Sequence, residues 1–434
     1  LGYFTATGTG GVSTYNFGTV ALGVGGNSSF AASNVVTSTS ASLGFTGAVS
    51  STGSIGSNSG NMSFASTLVN NGTLDVGSGT ATTTGALTNI GTLNNRTGVL
   101  SLAGDFSNTG TYNVHTGTFR VAGGSSQTIT HGGTLLNNLS SIKSGGVASL
   151  SASTTALGTY TGTGAGTLSS VTSSLTIVGA STIHAGTVTS TSGVLTFTGN
   201  VTSTGLIGSS SGNILMSGTY QNNGTLDIGS GTATTTGNAT TTAAATTNLR
   251  TGSLVVLADL DLTSSIFNAG TGIVRFAGTA ANQYIWPSSN ATAANTYFYN
   301  IQSIKDGATT ITFRGPATST ALGSFNATNT TATTTYDFVT MDFNVGGNTY
   351  LSAFATVTST SGDFDFTGAV SSTGNIGTNS GNQFYRSTLV NNGIVDIGSG
   401  TATTTGNATT TAAATTNLRT GSLVVLADLD LTSS

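Results

Sequence analysis

Glycine recurs every nineteen residues across residues 41–127, and that register restricts the chain to folds built from stacked, equal turns. Gly53, Gly72, Gly91 and Gly110 form one file, and Gly60, Gly79, Gly98 and Gly117 a second. A third, Gly47, Gly85, Gly104 and Gly123, keeps the same step with Ser66 in the missing place. Between the glycines, apolar residues alternate with polar ones as on a strand. One column at this spacing reads Leu43, Met62, Ala81, Leu100, Phe119, and the column two residues on reads Phe45, Phe64, Thr83, Leu102, Val121. Others hold Ile55, Leu74, Leu93, Tyr112 and Val49, Leu68, Leu87, Phe106. Asn70, Asn89, Asn108 and Gln127 stand in one file.

The pattern specifies an all-β fold, a parallel β-solenoid with three short strands per rung of about nineteen residues. At that length 434 residues make roughly 23 rungs. Connections between parallel strands are right-handed as a rule, and the same hand is expected here. Large apolar columns fill the interior. Glycines are expected to supply corner angles that a side chain forbids. The file Asn70, Asn89, Asn108, Gln127 is expected to form an amide ladder at an inside corner, each amide bonding those above and below. A disordered Gly/Ser/Thr chain has no reason to keep large apolar residues in register.

A longer repeat overlies the short one. Residues 36–61 recur as 188–213 and again as 357–382, at offsets of 152 and 169. The first is eight rungs of nineteen, and the second is nine rungs less two residues. The chain therefore reads as one continuous solenoid over 1–434, divided into 1–35 (the end of a preceding unit), 36–187, 188–356 and the partial unit 357–434. Residues 398–434 are identical to 229–265, so the repeat is cut in mid-unit. Unpaired rungs are an aggregation hazard, and the expectation is either continuation of a longer array or pairing between chains. The register loosens at 238–245, where a rung has no large side chains. It loosens again over 279–299 around Trp286 and Pro287, a candidate for a loop leaving the stack.

Composition narrows the function classes. Charged residues are 5% of the chain, glutamate is absent and the net charge is −4, so no nucleic-acid partner is expected. Cysteine is absent, which excludes disulfides and Cys-ligated metals. The longest apolar run, Leu254 to Ala258, is far too short to insert in a membrane as a helix. A polar surface rich in Thr, Ser, Asn and Gly points outside a bacterial cell.

Residue types that carry chemistry are sparse. Enzymes on parallel β-helices need clustered carboxylates with Lys or Arg on one face. The pairs Asp259/Asp261, Asp363/Asp365 and Asp428/Asp430 each put two carboxylates on one strand face, with Leu260, Phe364 and Leu429 pointing inward. They read as solvent-facing strands rather than as catalytic dyads or calcium ligands. Asp75, Asp227 and Asp396 hold one position in three repeats and read as outward turn residues. His115, His131 and His184 lack partners at metal or catalytic spacing. No catalytic, cofactor or metal residue is assigned, and no cofactor is expected. Threonine runs such as Thr80 to Thr84 do not continue into a flat lattice, since Val99, Ser101 and Ala103 follow. Sequons at Asn27, Asn71, Asn200 and Asn326 arise readily in such a composition.

The nineteen-residue coil, the Asn files, and phrases such as Asn108-Thr109-Gly110-Thr111-Tyr112 and Asn268-Ala269-Gly270-Thr271-Gly272 resemble bacterial surface β-helix repeat proteins of the filamentous-haemagglutinin and autotransporter-passenger type. The resemblance spans nearly the whole chain and implies a right-handed parallel β-helix displayed at the cell surface. The expected function is structural: a stiff, chemically inert segment of an extracellular fibre, stalk, sheath or filament that self-associates or continues a longer array. The alternative is an adhesin that binds cell-surface glycans through its side, with Tyr284, Trp286, Tyr297 and Tyr299 as the contact surface. A polysaccharide-active enzyme is the remote third.

Overall fold

The chain is described from a computed structural model, which covers all residues except 9, 134, 243, 264, 279–281, 288–295, 306, 316–317, 412 and 432–434, with backbone alone for 296 and 297. It is an all-β parallel solenoid of about 20 turns with three strands per turn. Two compact units make it up, Leu1–Gly208 and Ser209–Ser434.

In the first unit one ladder runs from Phe4–Ala6 through Ser28–Phe30, Val49–Ser51, Leu68–Asn70, Leu87–Asn89 and Phe106–Asn108 to Gln127–Thr130 and onward. A second ladder starts at Ser13–Asn16 and reaches Thr111–Asn113. It resumes at Thr154–Ala156, reached through the single bridge Leu136↔Ala156. The third links Leu22–Val24 to Val201–Ser203 without a break. In the second unit, one ladder runs from Tyr220–Asn222 through Gln283–Trp286 to Thr415–Asn417, and another from Ile214–Met216 to Leu429–Asp430. The remaining side is formed by Thr225–Asp227, Thr246–Asn248 and Ile266–Asn268, and by a ladder from Thr296–Phe298 to Ser422–Val425.

The nineteen-residue columns are stacked residues. Leu43 lies opposite Met62, Met62 opposite Ala81, Ala81 opposite Leu100, and Leu100 opposite Phe119. All five are buried. Alternation puts every second side chain inside, where like residues meet: the Phe45 and Phe64 rings stack 5.4 Å apart at 8°, and Phe338 lies 4.1 Å from Phe343 and 4.4 Å from Phe313. Each such ring removed from water contributes about 1.5–3 kcal/mol. About 20 turns is close to the roughly 23 expected, and the difference is rung length. Phe106 pairs with Ile129 at a spacing of 23 residues, and Gln283 pairs with Ile311 at 28.

The main glycine file has a different cause from the one its position suggests. Gly53, Gly72, Gly91 and Gly110 are not among the positive-φ residues. A Cβ on Gly72 would stand 2.0 Å from the Gly53 carbonyl oxygen, and one on Gly91 2.1 Å from that of Gly72. The corners of successive turns stack backbone on backbone, and only hydrogen fits between them.

Candidate functional site

Tyr284 and Trp286 project from the strand Gln283–Trp286, whose other two residues, Gln283 and Ile285, are buried. Period-two alternation therefore aims both rings outward on one face, and each is half-buried. Their centroids are 5.7 Å apart at 41°. The Arg314 guanidinium lies 4.3 Å from the Tyr284 ring centre, a cation–π contact that fixes the ring plane. On the preceding rung Asp261 is directly opposite Trp286, and its Oδ1 accepts the Thr263 backbone N–H at 2.9 Å. On the following rung Thr312 is opposite Tyr284. The site thus offers two aromatic faces bordered by a carboxylate, a guanidinium and a hydroxyl.

The four aromatic residues expected to act together are not all brought together. Tyr299 is half-buried on the corner before Asn300–Ser303, a strand of another ladder, and its carbonyl accepts the Gly323 N–H at 2.6 Å. Tyr297 belongs to Thr296–Phe298, which pairs with Ser319–Ala321, and its side chain lies outside the described residues. Most of the expected departure at 279–299 also lies outside them. Arg314 was not singled out from sequence; only the register reveals that it borders the rings.

The amide ladder runs through three of its four expected members. Asn70 Nδ2 donates to Asn89 Oδ1 and Asn89 Nδ2 to Asn108 Oδ1, each at 2.6 Å, and all three residues are buried. Gln127 stands outside the file. The turn after Phe106–Asn108 is four residues longer than nineteen, so Asn108 Nδ2 donates instead to the His131 carbonyl at 3.3 Å. Gln127 caps a different corner, receiving the buried Lys143 ammonium at 2.9 Å. Lys143 also donates to the carbonyls of Ser125 at 2.7 Å and Ala122 at 3.2 Å, and burial pushes its pKa down.

Carboxylates serve as ties between turns. Asp75 holds Arg96, Asp227 holds Arg250, Asp365 holds Arg386 and Asp396 holds Arg419. The Arg250 pair is bidentate at 2.7 and 2.5 Å, and hydrogen bonding to Asp227 raises the guanidinium pKa. Arg250 and Arg419 sit at corners with φ of 54° and 49°, an unfavourable region for a side chain that the clip helps to hold. A signal for three of these pairs was present in sequence, because Arg96, Arg250 and Arg419 recur with their aspartates. Of the paired aspartates, Asp363 Oδ1 accepts the Asn382 N–H at 2.6 Å and Asp259 Oδ1 accepts the Tyr284 N–H at 2.8 Å. Leu260 and Phe364 between them are buried, whereas Leu429, in the last described rung, is 43% exposed.

The histidines are dispersed. His131 is buried with Nε2 2.6 Å from Thr154 Oγ1. His184 is exposed, and His115 is exposed beside Asn94, Arg96 and Thr97 on a shallow cleft of about 430 Å³. Among the described residues no three His or Asp side chains gather at metal-binding distance.

Comparison with family models, curated proteins and solved structures finds no match. The fold is accordingly identified at the level of a parallel β-solenoid.

Proposed function

We propose that this chain is a structural component of a bacterial extracellular surface array, a segment of fibre, stalk or sheath. What supports the reading is how the polar side chains are used. The Asn70–Asn89–Asn108 ladder, the Lys143 cap and the four Asp–Arg clips all tie one turn to the next. Where these ties occur, opening a turn breaks side-chain as well as backbone bonds to its neighbour. The test has two arms. Antibodies raised against the purified chain should label intact source cells, and the chain pulled in a force spectrometer should yield in small steps of about one rung. Labelling confined to permeabilised cells, or release of oligosaccharides from a polysaccharide panel, would replace this reading.

A second reading, binding through the side of the coil, is favoured by one observation. Tyr284 and Trp286 turn two rings away from the core, where neither contributes to the interior packing.

A further inference from the structure

The strand Gln283–Trp286 has a twin at Gln127–Thr130 that separates what the fold requires from what has been added to it. In both strands the glutamine faces inward and its amide bridges two carbonyls. Gln127 Nε2 donates to Leu102 at 3.3 Å and Gly104 at 3.0 Å; Gln283 Nε2 donates to Val256 at 3.2 Å and Ala258 at 2.9 Å. Ile129 and Ile285 are both fully buried. The next backbone N–H meets an aspartate in each case, Thr128 to Asp105 Oδ1 and Tyr284 to Asp259 Oδ1, both at 2.8 Å. Each strand is followed by Ser-Ile-Lys, residues 141–143 and 303–305, with the lysine enclosed.

The outward residues differ completely. In the first copy Ser107 is opposite Thr130, Thr130 Oγ1 lies 2.8 Å from Ser151 Oγ, and Thr128 stands alongside. In the second, Asp261 is opposite Trp286, Arg314 follows on the next rung with its N–H donating to the Ile285 carbonyl at 2.9 Å, and Tyr284 takes the place of Thr128. Short hydroxyl side chains satisfy this frame, so the aromatic and charged set serves something other than folding. Trp286 is the single tryptophan of the chain.

We infer that Tyr284, Trp286, Arg314 and Asp261 form a side-face binding site for a neutral saccharide. The assignment rests on the second reading above and names its ligand class. Two adjacent, tilted rings match the C–H faces of a pyranose chain and release ordered water when covered. The Asp261 carboxylate on the rung preceding Trp286 accepts, and the Arg314 guanidinium on one face of Tyr284 donates, the complementary pair that sugar hydroxyls need. The charges of Asp261 and Arg314 offset one another, and Asp259 and Asp337 (the latter opposite Thr312) add negative charge nearby. An anionic sugar or phosphate gains no net attraction there.

The lone tryptophan makes the site its own reporter. Intact protein is titrated with neutral gluco-, xylo- and chito-oligosaccharides and with a uronate oligosaccharide, following Trp286 emission and its quenching by acrylamide. Binding to the matching insoluble polysaccharides is measured in parallel by sedimentation. A neutral series should shift the emission and protect it from quenching. Tyr284→Thr should weaken binding about tenfold, and Tyr284→Thr/Trp286→Thr should abolish co-sedimentation. Because the twin strand carries threonine at both places, these variants should keep the wild-type circular dichroism and melting temperature. Sedimentation that survives the double substitution would place saccharide binding elsewhere, overturning this site but not side-face binding. Absence of binding to every saccharide would overturn both, and a response to the uronate alone would overturn the neutral class.

Discussion

Arg96 reaches across one turn to Asp75, its Nε donating to Oδ1 at 2.9 Å while its terminal nitrogen closes a second bond to Oδ2. The pair is open to water, with 56% of the arginine side chain exposed, so solvent and salt screen it. Asp75→Asn should lower the melting temperature by about 2 °C or less, and the loss should shrink in high salt. Scanning calorimetry at two ionic strengths checks this; a large, salt-independent drop would show the clip to be a keystone instead.

The buried amides should behave differently. Asn89 sits between Asn70 and Asn108, so Asn89→Ala leaves an unsatisfied donor on one side and an acceptor on the other. It should cost about 2–4 kcal/mol, against roughly half that for Asn70→Ala, which strands one amide partner, Asn89 Oδ1, besides releasing the Thr92 carbonyl. Urea denaturation of the two variants gives the order, and equal losses would contradict the ladder.

Gly72→Ala should be among the most damaging single-methyl additions, because the new Cβ meets backbone 2.0 Å away and backbone cannot step aside. A loss of at least about 3 kcal/mol is expected. Gly23, by contrast, has open space where its Cβ would go, and Gly23→Ala should be neutral or slightly stabilising. Expression and melting of both variants decide the matter.

Alkali should open the coil. Burial raises the pKa of Tyr112, Tyr160, Tyr220 and Tyr385, and that of Tyr336 to about 12. A phenol that holds its proton more tightly when folded than when unfolded contributes its full stability below about pH 10 and loses it as pH climbs through the folded value. Stability should therefore hold to about pH 10 and then fall. Tyrosinate absorbance should show these five buried phenols ionising only together with loss of circular dichroism. Ionisation of these five near pH 10 with the circular dichroism intact would contradict the burial.

Much of this architecture is legible in the sequence because a stacked fold writes its contacts at a fixed spacing. Leu43 to Phe119 could be read as one column since nothing but a shared interior keeps large residues nineteen apart, and pairing puts them opposite one another. The reading slips where the spacing changes. Four extra residues after Asn108 move Gln127 out of the amide file, and a strict register has no means of seeing them. Side-chain ties such as Asp227 to Arg250 span 23 residues and depend on corner geometry, so recurrence alone left their partners unspecified. The aromatic site was partly visible as a cluster, but which rings share a face depends on which ladder each strand joins. That separated Tyr299 from Tyr284 and brought in Arg314.

Both lysines of the chain, Lys143 and Lys305, are wholly enclosed. Acylating reagents, aldehyde fixatives and lysine-seeking proteases or ligases therefore find no ε-amino handle on the folded surface. Only a turn that has already come apart would expose one, which makes lysine modification a readout of damage rather than of presence.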